Sequence, residues 1–218
     1  MLFVIVFAVV FFLCLLRGFQ LIVNRPRTSI KKPSFNYVFG TPGSGKTTFL
    51  AWIARLCAKE HKRIYTNVRS LSVPGADIVY IDKNQIGIYD ISDGVLLLDE
   101  ASIDYNNRLM RMSHKEIEFF KYHRHYNLTV YIFSQSWDDA DVTLRRLATN
   151  YFLVRKSFLY FLNKHIVVKA IRKVLFIKED DRQIVDGYEF KKLGKYVFPA
   201  KKVFGCFDSF DRKPLQPF

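Results

Sequence analysis

Residues 40–47 combine glycines, a lysine and a threonine in the pattern of a phosphate-binding loop. Their sequence, Gly-Thr-Pro-Gly-Ser-Gly-Lys-Thr, satisfies the motif GxxxxGK[ST] and directly follows an apolar, strand-like segment at 35–39. A strand that enters such a loop and a helix that leaves it direct successive backbone N–H groups at one point, which suits the phosphates of ATP. In this motif the lysine reaches the β- and γ-phosphates, and the last hydroxyl holds Mg²⁺. The residues predicted to contact the nucleotide are Gly40, Thr41, Pro42, Gly43, Ser44, Gly45, Lys46, Thr47 and Thr48.

A pair of acids follows this loop in the context that an ATPase requires. Val95–Glu100 is an apolar run that ends in two carboxylates. A buried strand that ends at Asp99 would place this carboxylate beside the Mg²⁺ held by Thr47. Glu100, the next residue, could act as the general base that polarises the attacking water. The alternative is a nucleotide-binding switch that does not hydrolyse ATP.

Polar residues farther along the chain are candidates for contacts with the γ-phosphate. An apolar strand ends in Phe133–Ser136, where Gln135 is the candidate sensor and Ser134 the second choice. Turn chemistry is the alternative explanation for these residues. Arg145 and Arg146 lie in a predicted helix, where either could act as an arginine finger on a neighbour's nucleotide or both could face solvent. A finger that acts in trans requires a homo-oligomeric ring, and a hexamer is expected.

The beginning of the chain is predicted to be a membrane anchor. Met1–Leu16 carries no charge, and Leu2–Val23 is long enough to cross a bilayer if Arg17 lies at the interface. Basic residues follow this segment rather than precede it, which argues against a cleaved signal peptide. By the positive-inside rule, the N-terminus faces outward and the remainder is cytoplasmic. A buried core helix is the alternative.

The composition favours contact with anions in a reducing compartment. The 218 residues include 34 basic and 20 acidic ones, a formal net charge of +14 that suits phosphate backbones or anionic lipid headgroups. The three cysteines are scattered, as expected for a cytoplasmic face. His123 and His125 would point to different faces of a helix, so a structural or DNA-facing role is expected rather than a metal site. The basic and aromatic stretch 190–204 could bind single strands, but a subdomain docked on the sheet is preferred.

The alternation of predicted elements indicates an α/β domain of the P-loop NTPase class, with a mostly parallel central sheet and flanking helices. We predict an anchor at 1–24, a basic linker at 25–34, an ATPase domain at 35–178, and a basic, aromatic tail at 179–218 that packs on the domain or extends it. The predicted helices are 47–62, 114–126 and 138–148; the predicted strands are 35–39, 63–66, 77–81, 95–98, 128–133, 151–154 and 166–170.

Several segments together resemble the zonula occludens toxin (Zot) family, which includes the gene I assembly proteins of filamentous phages. The resemblance extends over residues 36–160, and its more specific pieces are Thr-Asn-Val-Arg and His-Arg-His. Asn67 and Arg69, within the first piece, could contact nucleotide or DNA or cap a loop. The strand that ends in Ser-Gln-Ser is also similar to the HerA/FtsK group of ring-forming DNA pumps. The matching segments are Gly40–Thr47, Ile64–Leu71, Leu97–Glu100, His123–His125 and Ser134–Gln135.

The resemblance implies an ATPase of the host inner membrane that assembles and extrudes filamentous virions. Single-stranded DNA or nucleoprotein and phage coat proteins would be its partners, and ATP and Mg²⁺ its cofactors. Two alternatives are a HerA/FtsK-like DNA packaging or conjugative pump and a nucleotide-switched membrane scaffold without motor activity. In familiar Gram-negative members the membrane span follows the ATPase domain, whereas here the predicted span precedes it. The toxin activity behind the family name was attributed to a large extracytoplasmic part. This sequence ends about where the ATPase domain does, so no toxin activity is expected.

Overall fold

The computed structural model describes residues 30, 32–101, 105, 112–139, 141–180 and 183–208. The helices in this part are α1 (Lys46–Lys59), α2 (His114–Lys121), α3 (Val142–Leu147) and α4 (Tyr160–Asn163), with 3₁₀ segments at Lys83–Gln85 and Ala200–Cys206. The strands are β1 (Phe35–Phe39), β2 (Arg63–Thr66), β3 (Ile78–Tyr80), β4 (Gly94–Leu98), β5 (Thr129–Ser134), β6 (Asn150–Lys156), β7 (His165–Asp180) and β8 (Gln183–Pro199).

The strands of the described residues form one sheet in the order β3-β2-β4-β5-β1-β6-β7-β8. Strands β1 to β6 all run parallel to one another, whereas β7 pairs antiparallel with β6 and β8 antiparallel with β7. The central strand β1, which leads into the phosphate loop, lies between β5 and β6. The prediction of a mostly parallel α/β sheet is therefore confirmed.

Two hydrophobic cores cover the two faces of the sheet. Alternate residues of β1 point to opposite faces, so that Val38 joins the core under α1 while Tyr37 and Phe39 join the core under α2 and α3. Every residue of β1, β4 and β5 is buried. This burial on both faces explains why these strands are unbroken apolar runs in the sequence.

The last part of the described chain differs most from the prediction. Residues 179–199 lack a clear sequence period, yet β8 pairs with β7 from Asp180↔Gln183 to His165↔Pro199. A register shift at Ala170/Ile171 interrupts the alternation of this long hairpin. Tyr196 and Phe198 are buried at alternate positions, but the register shift leaves Lys191, Lys192 and Leu193 exposed in succession, so no regular period extends through β8.

Each of the three predicted helices extends beyond the helix in the structure, and the one predicted at 47–62 ends at Lys59. The helix predicted at 114–126 ends at Lys121, and a turn follows that closes at Asn127 with a positive φ of 50°. The helix predicted at 138–148 begins only after Asp141, whose carboxylate accepts a hydrogen bond from the Thr143 N–H. The side-chain cap from Asp141 sets the start of α3, and apolar periodicity does not report such a cap.

No helix among the described residues has the length and apolar character needed to cross a membrane. The anchor predicted at 2–23 lies outside the described residues.

Phe49 provides a test of the core beneath α1. Its ring is fully buried and contacts Phe133, Phe152, Tyr196 and Phe198 at centroid distances of 5.7–6.4 Å. We expect Phe49→Ala to lower the free energy of unfolding by about 3–5 kcal/mol, because truncation leaves a cavity. The measurement is urea unfolding of the full chain in mild detergent.

The matched control is Phe158→Ala, since the Phe158 side chain is 98% exposed. This change should alter the free energy of unfolding by less than about 0.5 kcal/mol. Equal losses in the two variants would contradict the packing described for the α1 face.

Candidate nucleotide-binding site

The phosphate loop joins β1 to α1 at the carboxyl edge of the sheet, and its first and last glycines leave no room for side chains. Gly45 has a φ of 99°, and a Cβ there would lie 2.5 Å from Ile166 Cδ1. A Cβ on Gly40 would lie 2.5 Å from the Val154 carbonyl oxygen. These two glycines therefore allow the loop to turn tightly against β6 and β7. In loops of this kind, backbone N–H groups face the phosphates.

Lys46 lies at the start of α1 with its side chain folded back on the loop. Its ammonium donates hydrogen bonds to the Gly40 carbonyl at 2.8 Å and to the Thr41 carbonyl at 3.2 Å. Loss of hydration on burial lowers the pKa of Lys46, while the nearby Asp99 and Glu100 carboxylates act in the opposite direction. A phosphate group at the loop would give this ammonium a charged partner and offset its desolvation.

The structure brings the two predicted magnesium ligands together. The Thr47 hydroxyl donates a hydrogen bond of 2.8 Å to Asp99 Oδ2, and Asp99 follows β4 directly. Burial raises the pKa of the Asp99 carboxyl, and the hydrogen bond from Thr47 opposes that rise. A hydroxyl and a carboxylate are hard oxygen donors of the kind that Mg²⁺ takes from a protein when phosphates and water complete its coordination. The residues therefore fit a magnesium ion.

Asn67 holds the backbone of Asp99 in place. Its side-chain amide donates to the Asp99 carbonyl at 2.9 Å, and its side-chain oxygen accepts from the Asp99 N–H at 2.9 Å. Asn67 follows β2, which is the neighbour of β4 in the sheet. The sequence left its role open between ligand contact and loop capping, because the pairing of β2 with β4 is a tertiary feature. Arg69, two residues later, instead forms an exposed ion pair with Asp82 at 2.9 Å.

Glu100 occupies a strained backbone conformation beside Asp99, the predicted magnesium ligand. Its φ is 50°, and its N–H donates to Asp99 Oδ1 at 2.9 Å. A left-handed conformation costs a residue with a Cβ about 1–2 kcal/mol, and such conformations are often found at functional sites. The side chain is exposed, so its carboxylate is accessible to water next to Asp99. This position suits the predicted general base.

The order of the strands places the predicted sensor between the loop and the acids. Strand β5 lies between β1 and β4, with Ser134 level with Phe39 and Ile132 level with Leu98. Gln135 directly follows β5 and is half-buried, whereas Ser134 is fully buried. Of the two candidates, Gln135 is thus the one whose side chain is accessible at the carboxyl edge. Its contact with a γ-phosphate stays a prediction.

The two predicted finger residues lie in α3, away from the phosphate loop of their own chain. Helix α3 leads to the amino end of β1, where the Thr149 N–H donates to the Phe35 carbonyl at 2.9 Å. The Arg145 guanidinium donates to Asp138 at 3.0 Å and lies 5.5 Å from the centre of the Trp137 ring. Arg146 is exposed. Arg145 is therefore engaged within its own chain, and Arg146 is the better placed of the two to act on a neighbour.

His123 contributes to the core beneath α2. Its Nδ1 lies 2.8 Å from the Phe120 carbonyl oxygen, and its ring meets the Phe35 ring edge-on at 5.5 Å. Burial lowers the pKa of His123. His125 is exposed and contacts the Tyr122 ring at 5.5 Å. This geometry favours the structural role for His123.

The aromatic side chains of the stretch 190–204 are mostly docked on the domain. Phe198 stacks on Trp52 of α1 at 4.8 Å, and Phe190 contacts Trp137 at 4.9 Å. The interpretation as a docked segment therefore agrees with the structure better than a row of free stacking platforms for bases.

Lys46→Ala tests the phosphate loop. We expect ATP affinity to fall by roughly 10- to 100-fold, because a hydrogen bond to a charged group contributes about 1.5–3 kcal/mol and 1.4 kcal/mol corresponds to a factor of ten. The measurement is titration of the full chain with a fluorescent ATP analogue. Lys59→Ala, at the exposed far end of the same helix, is the control and should leave affinity unchanged. Equal affinities of the two variants would rule out this site.

Comparison with known proteins places the fold and the family. No curated protein was found to match the chain in sequence. The structure is similar to the crystal structure of the N-terminal domain of zonular occludens toxin from Neisseria meningitidis, with 16% identity and a TM-score of 0.50 over 81% of this chain and 100% of that chain. A second similarity, with 12% identity and a TM-score of 0.47 over 74% of this chain and 98% of that chain, is to the genome packaging NTPase B204 of Sulfolobus turreted icosahedral virus 2 in complex with ATP-gammaS. The family model described as zonular occludens toxin (Zot) matches residues 34–167, more than half of the chain. This protein therefore belongs to the Zot family.

Proposed function

We propose that this protein is an ATPase that couples nucleotide hydrolysis to the assembly and export of a filamentous virion. The observation that carries the proposal is the 2.8 Å hydrogen bond between Thr47 and Asp99, with Glu100 adjacent. It joins the end of a phosphate loop to a buried strand that ends in two acids, which is the arrangement that nucleotide hydrolysis requires. Membership of the Zot family supports the biological role.

Each residue of the site has a distinct task in this proposal. Loop N–H groups and the Lys46 ammonium bind the phosphates. Thr47 and Asp99 would hold Mg²⁺, which neutralises charge on the phosphates when it is bound. Glu100 orients a water molecule and accepts its proton, a role to which its exposed position is suited. Asn67 keeps Asp99 in place through its two backbone hydrogen bonds.

We infer the partners, the location and the oligomeric state of this ATPase from its charge and its family. Single-stranded DNA or nucleoprotein and phage coat proteins are the proposed partners, and the net charge of +14 favours the DNA contact. The apolar segment 2–23 would anchor the chain in the host inner membrane with its N-terminus outward. A homo-oligomeric ring, with a hexamer as the expected form, would allow Arg146 to complete a neighbour's site.

Glu100→Gln tests hydrolysis. We expect the rate of ATP hydrolysis by the full chain in detergent to fall roughly 10²- to 10⁴-fold, the usual contribution of a general base, while ATP still binds. Phosphate release is measured without DNA, with single-stranded DNA and with duplex DNA. Single strands should stimulate the unsubstituted protein.

Glu118→Gln is the matched control, because Glu118 is exposed on α2 and lies outside the candidate site. Stimulation by duplex DNA alone would contradict the extrusion role and favour a DNA packaging or conjugative pump. ATP binding without turnover in the unsubstituted protein would instead favour a nucleotide-switched scaffold.

A mixing experiment tests the proposed ring. Arg146→Ala and Glu100→Gln should each be nearly inactive, but their mixture should regain hydrolysis because an intact Arg146 from one chain can act at an intact Glu100 site of its neighbour. The control mixes Glu100→Gln with the double variant Glu100→Gln/Arg146→Ala and should stay inactive. Full activity of Arg146→Ala alone, or of a monomer, would exclude an Arg146 finger in trans.

A further inference from the structure

The loop between β6 and β7 exposes a cluster of large apolar side chains. Within five consecutive residues, Phe158 is 98% exposed, Leu159 45%, Phe161 70% and Leu162 65%. Single exposed apolar residues are common on soluble proteins, but a contiguous group of this kind marks a surface that contacts something apolar. We refer to these four side chains as the apolar tip.

The base of this loop is held in a defined conformation. The Ser157 hydroxyl donates to Asn163 Oδ1 at 2.9 Å, and the His165 N–H donates to the same oxygen at 3.0 Å. The Ser157 N–H also donates to the His165 carbonyl at 3.0 Å, and Lys164 ends α4 with a positive φ of 49°. These contacts close the loop at its base, and the apolar tip projects from that base into solvent.

Basic side chains surround the apolar tip. The Lys156 and Lys164 ammonium groups lie 5.0 and 5.2 Å from the centre of the Tyr160 ring. The Ala200 N–H donates to the Lys164 carbonyl at 2.8 Å, which brings the exposed Lys201 and Lys202 to the same side. The sequence contains no acidic residue between 141 and 179. The tip therefore emerges from a surface whose charge is positive.

We propose that the loop 157–164 inserts its apolar tip into the surface of an anionic membrane. Leucine and phenylalanine side chains enter the boundary between headgroups and acyl chains, while lysines and a tyrosine ring suit the headgroup level. Each basic residue near such a surface is attracted by its negative potential. The apolar tip thus suits the acyl-chain region of a lipid surface, and its basic surroundings suit the headgroup region.

The composition of the tip favours lipid over the other possible occupants. Nucleic acid bases stack on flat rings, but half of the exposed tip consists of leucines, which offer no such face. A second copy that met this loop with its own loop would bring the same positively charged surface, which opposes close approach. An anionic bilayer satisfies both the apolar and the charged parts of the surface.

The loop and the predicted anchor can contact the same bilayer. The linker 25–34 joins the amino end of β1, while the loop lies at the opposite edge, past the carboxyl end of β6. The five residues of β1 span about 17 Å, and the six residues 24–29, which precede the buried Ile30, would reach up to about 20 Å if fully extended. The proposed contact requires neither nucleotide nor hydrolysis, so it can be tested separately from the ATPase proposal.

The test places an environment-sensitive nitrobenzoxadiazole probe on the tip of the full chain. Phe158→Cys is labelled in a Cys14→Ser background, where the remaining Cys57 and Cys206 are buried. The control is Ile88→Cys, an apolar residue that is 64% exposed and follows β3 at the opposite end of the sheet. Both proteins are reconstituted into vesicles of phosphatidylcholine with or without phosphatidylglycerol.

We expect the fluorescence of the Phe158 probe to rise roughly twofold or more in anionic vesicles, because the probe leaves water, and to be quenched by lipid-attached spin labels. The Ile88 probe, in a chain with the same anchor, should show neither effect. Adding Lys156→Glu and Lys164→Glu should abolish the rise.

Equal responses of the two probes would overturn the proposal. A rise that appears only when single-stranded DNA is added would identify a nucleic acid contact instead. A rise that depends on protein concentration in detergent, without lipid, would identify contact between copies of the chain.

Discussion

A single hydrogen bond, from the Thr47 hydroxyl to the Asp99 carboxylate, joins two segments that are 52 residues apart in the chain. It forms only because β1, β5 and β4 are neighbours whose carboxyl ends meet at one edge of the sheet. Asp99 is buried, and burial raises the pKa of its carboxyl. The protein therefore keeps a carboxylate at a place where its charged form is less stable than in water. The hydrogen bonds that its carboxylate accepts from the Thr47 hydroxyl and the Glu100 N–H offset that desolvation.

The sheet supports this edge because it is covered on both faces. Phe49 and its aromatic neighbours fill one side, and Phe35, Tyr37 and Phe120 fill the other. Dense packing on both sides prevents the strand ends from shifting relative to one another. The strained backbone of Glu100 can be maintained at such an edge, since the strands beneath it are rigid.

The antiparallel hairpin of β7 and β8 lies between the phosphate loop and the exposed surface at that side of the sheet. Ile166 of β7 fills the space beside Gly45, so the hairpin forms part of the wall of the phosphate loop. The loop that carries Phe158 lies directly between β6 and β7. A membrane contact at that loop would thus lie close to the candidate nucleotide site, because both adjoin β6 and β7.

The amino acid sequence by itself determined the chemistry at the edge of the sheet. The motif at 40–47 and the acids at 99–100 were identified without coordinates, because glycine, lysine and acidic residues at these places serve a local geometry. The mostly parallel sheet also followed from its unbroken apolar strands. The Zot family was recognised from short motifs that the family model then matched.

Only the tertiary structure decided the contacts that depend on which strands are neighbours. The role of Asn67 requires the pairing of β2 with β4, and the engagement of Arg145 by Asp138 and Trp137 requires the turn after β5. Strand β8 was missed because its basic and aromatic residues show no regular period. The exposure of Phe158 could not be predicted either, because an apolar segment of the sequence can lie in a core or on a surface. Burial and strand order are properties of the whole packed chain, so no local pattern of residues encodes them.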